Sequence, residues 1–241
     1  MPDYSLDGPW ELLLDPAGIG EPWGQYQLPV HDYPNFINDR RTLNYRPVTV
    51  PGTWATLPGM NWYRELAWFI RRFEWQPRKT ERVFLRFNAV NYRARVWLNG
   101  TFLGEHEGGY TPFEYEATAG LKAGENTLAV KVDPRPGPDS TIPIPGWACY
   151  PGIIRSVSLY TMPAVRWADL RLEAVPDLRT GAGRLTLRGR LDGPPPPGAA
   201  LRLVLRDPDG ATAAEVRRPL RRAAARIKLP VKDVRLWSPD A

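Results

Sequence analysis

Residues Ala94–Gly109 read ARVWLNGTFLGEHEGG. Ala94, Val96 and Leu98 fall on one side of a two-residue period, with Arg95 and Trp97 on the other, as on a β-strand whose two faces meet different surroundings. Asn99-Gly100 then interrupts the alternation. This dipeptide accepts positive φ at both central positions of a type I′ turn, whose twist matches that of a two-stranded antiparallel ribbon. TFLGEHE is therefore expected to return as the partner strand. Gly108-Gly109 is expected to end it, on a backbone path that side-chained residues refuse. One hairpin makes the local fold antiparallel β.

Working outward, the same period continues. In VFLRFNAV (Val83 to Val90), Val83, Leu85, Phe87 and Ala89 share a face, and NTLAVKV (Asn126 to Val132) and IIRSVSLYT (Ile153 to Thr161) read as further strands. After Pro163, ADLRLEAV, GRLTLRGRL, AALRLVLRD and ARIKLPV alternate Leu, Val or Ile with Arg. Asp207-Pro208-Asp209-Gly210 reads as a turn, and GPPPPG (Gly193 to Gly198) as a stiff connection. No amphipathic helix of ordinary length is found. The 27 Pro and 21 Gly residues fit β-structure with many turns.

The 241 residues, 43% hydrophobic and 24% charged, suffice for two ordinary β domains with real cores. Charge divides them. Residues 1–160 carry 16 Lys and Arg against 17 Asp and Glu, whereas 161–241 carry 16 against 9, so the net +6 arises from −1 and +7. The arginines of the second part fall on the polar side of the alternation, so they are read as a solvated sheet face. Nucleic acid is not an expected partner, because its binding wants a clustered basic patch with accessible aromatics.

Cys149 is the single cysteine, which excludes an internal disulfide and a cysteine metal cluster and fits a reducing compartment such as the cytoplasm. MPDYSLDGPWELLLDP lacks the basic start and long apolar run of a secretion signal, so none is expected. No stretch approaches the ~18 apolar residues of a membrane helix, and a membrane is not an expected partner. No cofactor and no metal are expected. His31 and His106 are the only histidines.

Glu105 and Glu107 raise a catalytic question. On a strand, residues i and i+2 share a face about 6.5–7 Å apart, within the ~5–9.5 Å separations that paired carboxylates use to cleave glycosidic bonds. A glycosidase pair, however, needs a sugar-sized cleft between the acids. Neighbours on one strand share a single patch of surface, so no catalytic residue is assigned.

From end to end the chain resembles the N-terminal, non-catalytic part of glycoside hydrolase family 2, the family of β-galactosidases, β-glucuronidases and β-mannosidases. The resemblance is carried by LDGPWELLLDP (Leu6 to Pro16), VTVPGTW (Val48 to Trp54), Tyr63, AWFIRRFEWQP (Ala67 to Pro77), Val83 to Val132, and TIPIPGW…PGIIRSVSLYTMP (Thr141 to Pro163). The densest wording is VWLNG, G-HEGGYTPFE, GEN-LAV-V and GI-R-V-LY, in that order. It implies an all-β fold: a jelly-roll β-sandwich over 1–163 of the kind called sugar-binding, then an immunoglobulin-like β-sandwich over 164–241. The closing LWSPDA (Leu236 to Ala241) is similar to a motif that precedes a further strand, so the second sandwich is expected to lack its last strand. The family's two catalytic glutamates lie on a (β/α)8 barrel, which these residues do not include.

The resemblance also implies candidate sites. In family members one loop of the first sandwich presents an acid to a sugar hydroxyl, six residues before the Gly of GI-R. Here that count lands on Gly146, a departure from the pattern, and a local gap would move it to Asp139. Trp147 and Tyr150 of the same loop are the candidate carbohydrate contacts, because aromatic faces stack on the apolar faces of sugar rings. Asn99, Gly100, Gly108, Gly109 and Arg155 are read as structural, Arg155 through an ion pair or hydrogen bonds to backbone. Trp54, Tyr63, Trp68 and Trp97 are read as core. Three functions follow: the non-catalytic portion of a β-glycosidase that supports its barrel, a free-standing carbohydrate-binding protein, or an interaction module that recruits partners, including a second copy, through an open sheet edge.

Overall fold

The computed structural model describes residues 4–22, 24–27, 45–76, 81–136, 150–232, 234 and 236. These form two compact units, Met1–Met162 and Pro163–Ala241. Both are built from strands. The one helical element among the described residues is a single 3-10 turn, Trp54–Thr56.

The first unit is a sandwich of two antiparallel sheets. Strands β1 (Tyr4–Ser5), β2 (Gly8–Leu14), β3 (Tyr45–Val50), β4 (Ala67–Trp75), β5 (Glu81–Phe87), β6 (Arg93–Leu98), β7 (Thr101–Glu107), β8 (Phe113–Glu116), β9 (Gly124–Asp133) and β10 (Val157–Pro163) follow in chain order. A six-stranded sheet runs β3-β2-β4-β9-β6-β7, and a four-stranded sheet runs β1-β10-β5-β8. Neighbours in the sheets are mostly distant in sequence, as the jelly-roll arrangement requires. Inward-facing residues fill the space between the sheets. Trp10, Leu12, Phe69, Phe73, Leu85, Phe87, Ala94, Val96, Leu98, Leu128, Val130, Val132, Val157 and Leu159 are buried in one continuous core.

The hairpin of the opening stretch forms as read. Asn99 and Gly100 take φ of 50° and 81°, and Leu98 faces Thr101 across the turn. Asn99 does more than turn. Its amide donates to the Gly120 carbonyl (2.8 Å) and to Asn126 Oδ1 (2.7 Å), and its Oδ1 accepts from the Thr127 backbone (2.9 Å). The side chain thereby ties the turn to β9. A bulge between Val96 and Trp97 interrupts the ladder, and the strand beyond it stays in step with the core.

The outer face of the six-stranded sheet is covered too. Leu13, Trp68, Ile70, Trp97 and Ala129 make a second buried cluster under Tyr26, whose ring stacks on Trp97 (5.1 Å, 13°). The covering segment is held by Asp15, a buried carboxylate. It accepts from the Ile19 and Gly20 backbones and from Trp68 Nε1, each at 3.0 Å. This is why Ala67, Trp68, Phe69 and Ile70 are buried in succession rather than alternately.

Two strands differ from the sequence reading. β5 ends at Phe87 rather than Val90, and β10 starts at Val157 rather than Ile153. The intervening backbone bonds across loops instead of along a ladder. Gly52 donates to Ile153 O, Ile154 to Ala89 O, and Asn91 and Gly152 exchange bonds of 2.9 and 3.2 Å.

The second unit is a smaller immunoglobulin-like sandwich. β11 (Trp167–Asp177), β12 (Ala182–Leu191) and β15 (Ala224–Val231) form one sheet, and β13 (Ala200–Arg206) and β14 (Thr212–Pro219) form the other. β14 was not anticipated, because ATAAEVRRP carries little apolar alternation. The core is Leu187, Leu203, Ile227 and Leu229, flanked by half-buried Leu185, Leu201, Leu205 and Val216. β11 stands at the sheet edge.

Candidate functional site

The hairpin acids are neutralised where they stand. Cross-strand register sets Glu107 opposite Arg93 and Glu105 opposite Arg95. Glu107 Oε2 meets the Arg93 guanidinium at 3.1 Å, and Glu105 Oε2 lies 3.4 Å from Arg95 Nε. Arg95 also pairs with Glu21, whose other oxygen accepts from Lys131 Nζ at 2.9 Å. Both hairpin glutamates are exposed on β7, and the Glu21 carboxylate is separated from Glu105 by the Arg95 guanidinium that pairs with both. Between them, His106 stacks on Phe113 (4.3 Å, 17°), and its Nε2 lies 3.1 Å from Thr111 Oγ1. Burial holds the imidazole pKa below its ordinary value, against a hydrogen bond that the ring donates to the Gly108 backbone, which raises it. Burial, helped by the Glu105 charge, pushes the nearby Tyr115 hydroxyl up to about 12. This is the chemistry of a packed ribbon.

Gly108 takes φ of 134° as expected, whereas Gly109 has no left-handed φ. The need for glycine at 109 is spatial. A Cβ there would lie 3.0 Å from the Asn91 side chain. Asn91 is itself buried, and its Oδ1 has no hydrogen-bond partner among the described residues.

At one end of the first sandwich, backbone bonds gather several connections. Pro151 O accepts from Thr53 Oγ1 (2.8 Å) and from the Trp54 backbone (3.2 Å). Asn91 and Gly152 bridge, Gly108 donates to Tyr92 O at 3.0 Å, and Arg155 Nη1 donates to the Tyr110 carbonyl at 3.1 Å. Arg155 is exposed and bonds backbone, one of the two structural roles read for it. Trp54, Tyr63, Trp68 and Trp97 are all core. The Tyr63 hydroxyl donates to Leu66 O at 2.6 Å, and burial raises its pKa.

Of the candidate sugar contacts, Tyr150 is 55% exposed on this end. Asp139, Gly146 and Trp147 lie outside the described residues. The sequence reading passed over Trp62, which is 73% exposed, the most open of the described tryptophans. Its edge meets Tyr63 (6.2 Å), which in turn meets Trp54 (6.1 Å), so it stands on the connection that Pro151 clasps. Its neighbours Gly59-Met60-Asn61, a turn rather than a strand, were the available signal. Among the described residues, no three His, Cys, Asp or Glu side chains come together as a metal site, and no helix is long and apolar enough to cross a membrane.

Comparison with known proteins places this geometry. The family description "Glycosyl hydrolases family 2, sugar binding domain" matches residues 4–163. A β-galactosidase of Thermoanaerobacter pseudethanolicus is 38% identical over 127 residues, 48% of this chain and 17% of that protein. A β-galactosidase of Lactobacillus delbrueckii subsp. bulgaricus is 29% identical over 266 aligned residues, 98% of this chain and 24% of that protein. The solved β-glucuronidase of an uncultured Clostridium sp. superposes with a TM-score of 0.73 at 24% identity, over 99% of this chain and 40% of that one. This chain thus spans well under two thirds of each relative. With two strand-built units, a hairpin whose acids are paired to arginines, and a match over most of its first unit, the chain belongs to glycoside hydrolase family 2, through that family's sugar-binding domain.

Proposed function

We propose that this chain supplies the non-catalytic N-terminal sandwiches of a β-glycosidase, residues 1–163 as the sugar-binding-type unit and 164–241 as the immunoglobulin-like one. In this reading the chemistry resides in a catalytic (β/α)8 barrel outside these residues. The parent reaction is retaining hydrolysis of a β-glycoside, which uses two carboxylates about 5–5.5 Å apart across a sugar-sized gap. The observation that carries the reading is the hairpin. The acids nearest to that spacing, Glu105 and Glu107, each face an arginine on the same exposed ribbon, so neither is free to serve as nucleophile or as proton donor. The two sandwiches then act as partners of the barrel and shape the mouth of its site. The purified chain is expected to release no nitrophenol from p-nitrophenyl β-galactoside, β-glucuronide or β-mannoside above the spontaneous rate. Turnover that disappears in Glu105→Gln or Glu107→Gln would overturn the reading.

A second reading is favoured by the exposed rings at the clasped end. Tyr150 and Trp62 present apolar faces to solvent, and such faces stack on sugar rings, so the first unit binds a β-linked carbohydrate on its own. Trp147 and Asp139 are the further candidates for that contact. Saturable quenching of tryptophan fluorescence by a β-glycoside, lost in Trp62→Ala and Tyr150→Ala, is the expected outcome. Calorimetry that records no heat with millimolar galactoside, glucuronide and mannoside would remove this reading and leave the first intact.

A further inference from the structure

Strand β11 borders its sheet, with one side unpaired among the described residues. Leu170 and Leu172 are 50% and 57% exposed, although Leu172 shares its face with Leu187 of the core. The other face of β11 carries Asp169, Arg171 and Glu173. Within the chain these charges are poorly served. Arg171 sits opposite Arg188, a like charge, and no described carboxylate forms an ion pair with it. Glu173 reaches Arg188 only at 3.7 Å, with both side chains about half exposed. Edge strands that avoid association carry like charges, prolines or bulges. β11 keeps such devices to its ends, a bulge between Trp167 and Asp169 and Pro176, and alternates sign between them.

That alternation is self-complementary. β11 spans eleven residues, Trp167–Asp177, and Leu172 is its midpoint. A two-fold axis through Leu172 lays the strand antiparallel on a second copy of itself, with the regular stretch Asp169–Val175 overlapping in full on the C-terminal side of the bulge. Arg171 then faces Glu173 of the second copy, and the reverse pair forms across the axis. Leu170 faces Ala174, and Leu172 faces Leu172. Asp169 faces Val175, the one mismatch within the regular stretch. Other registers do worse. A one-residue slip in either direction sets Leu172 itself against a charged side chain. Moving the axis to Arg171 sets Arg171 against itself and Asp169 against Glu173, and moving it to Glu173 sets Glu173 against itself. An axis through Leu170 restores Asp169 against Arg171 but runs into the bulge, which leaves only Asp169–Arg171 in regular overlap.

We propose that two copies of this chain associate edge to edge through β11, about a two-fold axis at Leu172, joining two three-stranded sheets into one of six strands. The contact is isologous, so each copy offers the same patch and the assembly closes at two. The charge pattern names the occupant. A foreign strand would need the same Arg–Glu order reversed, and β11 itself supplies it. Opposed Leu172 side chains have Cβ atoms about 4.5–5.5 Å apart, which is close to the span a disulfide bridges.

The test uses the 241-residue chain. Sedimentation equilibrium from micromolar to submillimolar concentration is expected to show a monomer–dimer equilibrium. In a Cys149→Ser background, oxidised Leu172→Cys is expected to form a covalent dimer, while Leu170→Cys, which faces Ala174, stays uncrosslinked. Arg171→Glu is expected to weaken the dimer about tenfold, since it places like charges opposite at both symmetric pairs, and adding Glu173→Arg restores it. A chain that stays monomeric throughout overturns the proposal. So does a dimer that crosslinks through Leu170→Cys, or one whose affinity ignores Arg171→Glu, because either would mean another surface or another register.

Discussion

The two units use the same strand vocabulary to different depth. In the first, both faces of the six-stranded sheet are covered, one by the opposing sheet and the other by the segment that Asp15 anchors. In the second, a core of Leu187, Leu203, Ile227 and Leu229 lies under a two-stranded sheet, and β11 projects leucines into solvent. Alternation writes a strand, but stability comes from what lies opposite. Each buried aliphatic or aromatic side chain contributes roughly 1.5–3 kcal/mol on transfer from water, so the first unit draws on many such contributions and the second on few.

Core truncations give the largest expected effects and the sharpest test of that contrast. Phe69 is fully buried against Trp10 and Trp54, and Phe69→Ala is expected to cost about 3–5 kcal/mol. Leu187→Ala in the second unit is expected to cost about 2 kcal/mol, at the low end of its class, because a shallow core relaxes into the space. Urea unfolding of each variant measures both. Equal losses would break the comparison.

Gly152→Ala comes next. Its Cβ would lie 2.7 Å from the Gly52 carbonyl oxygen, a backbone atom that cannot swing aside. The expected cost is about 1–3 kcal/mol, confined to the first unit's calorimetric transition. A variant with unchanged melting would show that the clasp at Pro151 and Gly152 is loose.

A smaller effect separates the units by pH. Both histidines precede residue 163, and His106 is held neutral by its burial against Phe113. Below about pH 6.5, the usual imidazole pKa, the unfolded chain binds a proton that the folded ring resists. Stability therefore falls as pH drops from 6.5 towards the lowered folded value. Calorimetry between pH 7.5 and 5.5 is expected to show His106→Gln relieving part of the first unit's loss and leaving the second unit's transition where it was. Relief of a loss in the second unit would contradict the assignment.

The smallest expected effects are those on which the units should agree. Arg93–Glu107 and Arg202–Glu215 are both exposed cross-strand pairs, at 3.1 and 2.7 Å. Glu107→Gln and Glu215→Gln are each expected to leave the unfolding midpoint close to that of the parent chain, and the small difference fades in high salt. A large loss at either site would mean that it is more than a surface pair.

Much of this was legible before any coordinates. Asn99-Gly100 announces its turn because few residue pairs accept two positive φ values, and Ala94, Val96 and Leu98 announce their face by period. The family wording predicted the two sandwiches. What alternation cannot say is whether anything lies over a face. Trp97 sits on the polar side of its strand and is buried under Tyr26, whereas Leu172 sits on the apolar side of its own and is open. The start of β10 differs from the sequence reading for a related reason. Ile153 and Ile154 look like strand residues, but their backbone is engaged by Gly52 and Ala89 across loops. Trp62 escaped notice because solvent exposure of a single aromatic in a turn leaves no periodic trace.

The clasp at Pro151 is made almost wholly from main-chain atoms: carbonyls of Pro151, Gly152 and Ile153 and amides of Gly52, Trp54 and Asn91. Main-chain bonds hold a path without fixing what hangs from it. The flanking positions 150 and 155 can therefore exchange their side chains while the loop keeps its course. Such a rim can acquire new chemical preferences one residue at a time, with no redesign of the two packed sheets beneath it.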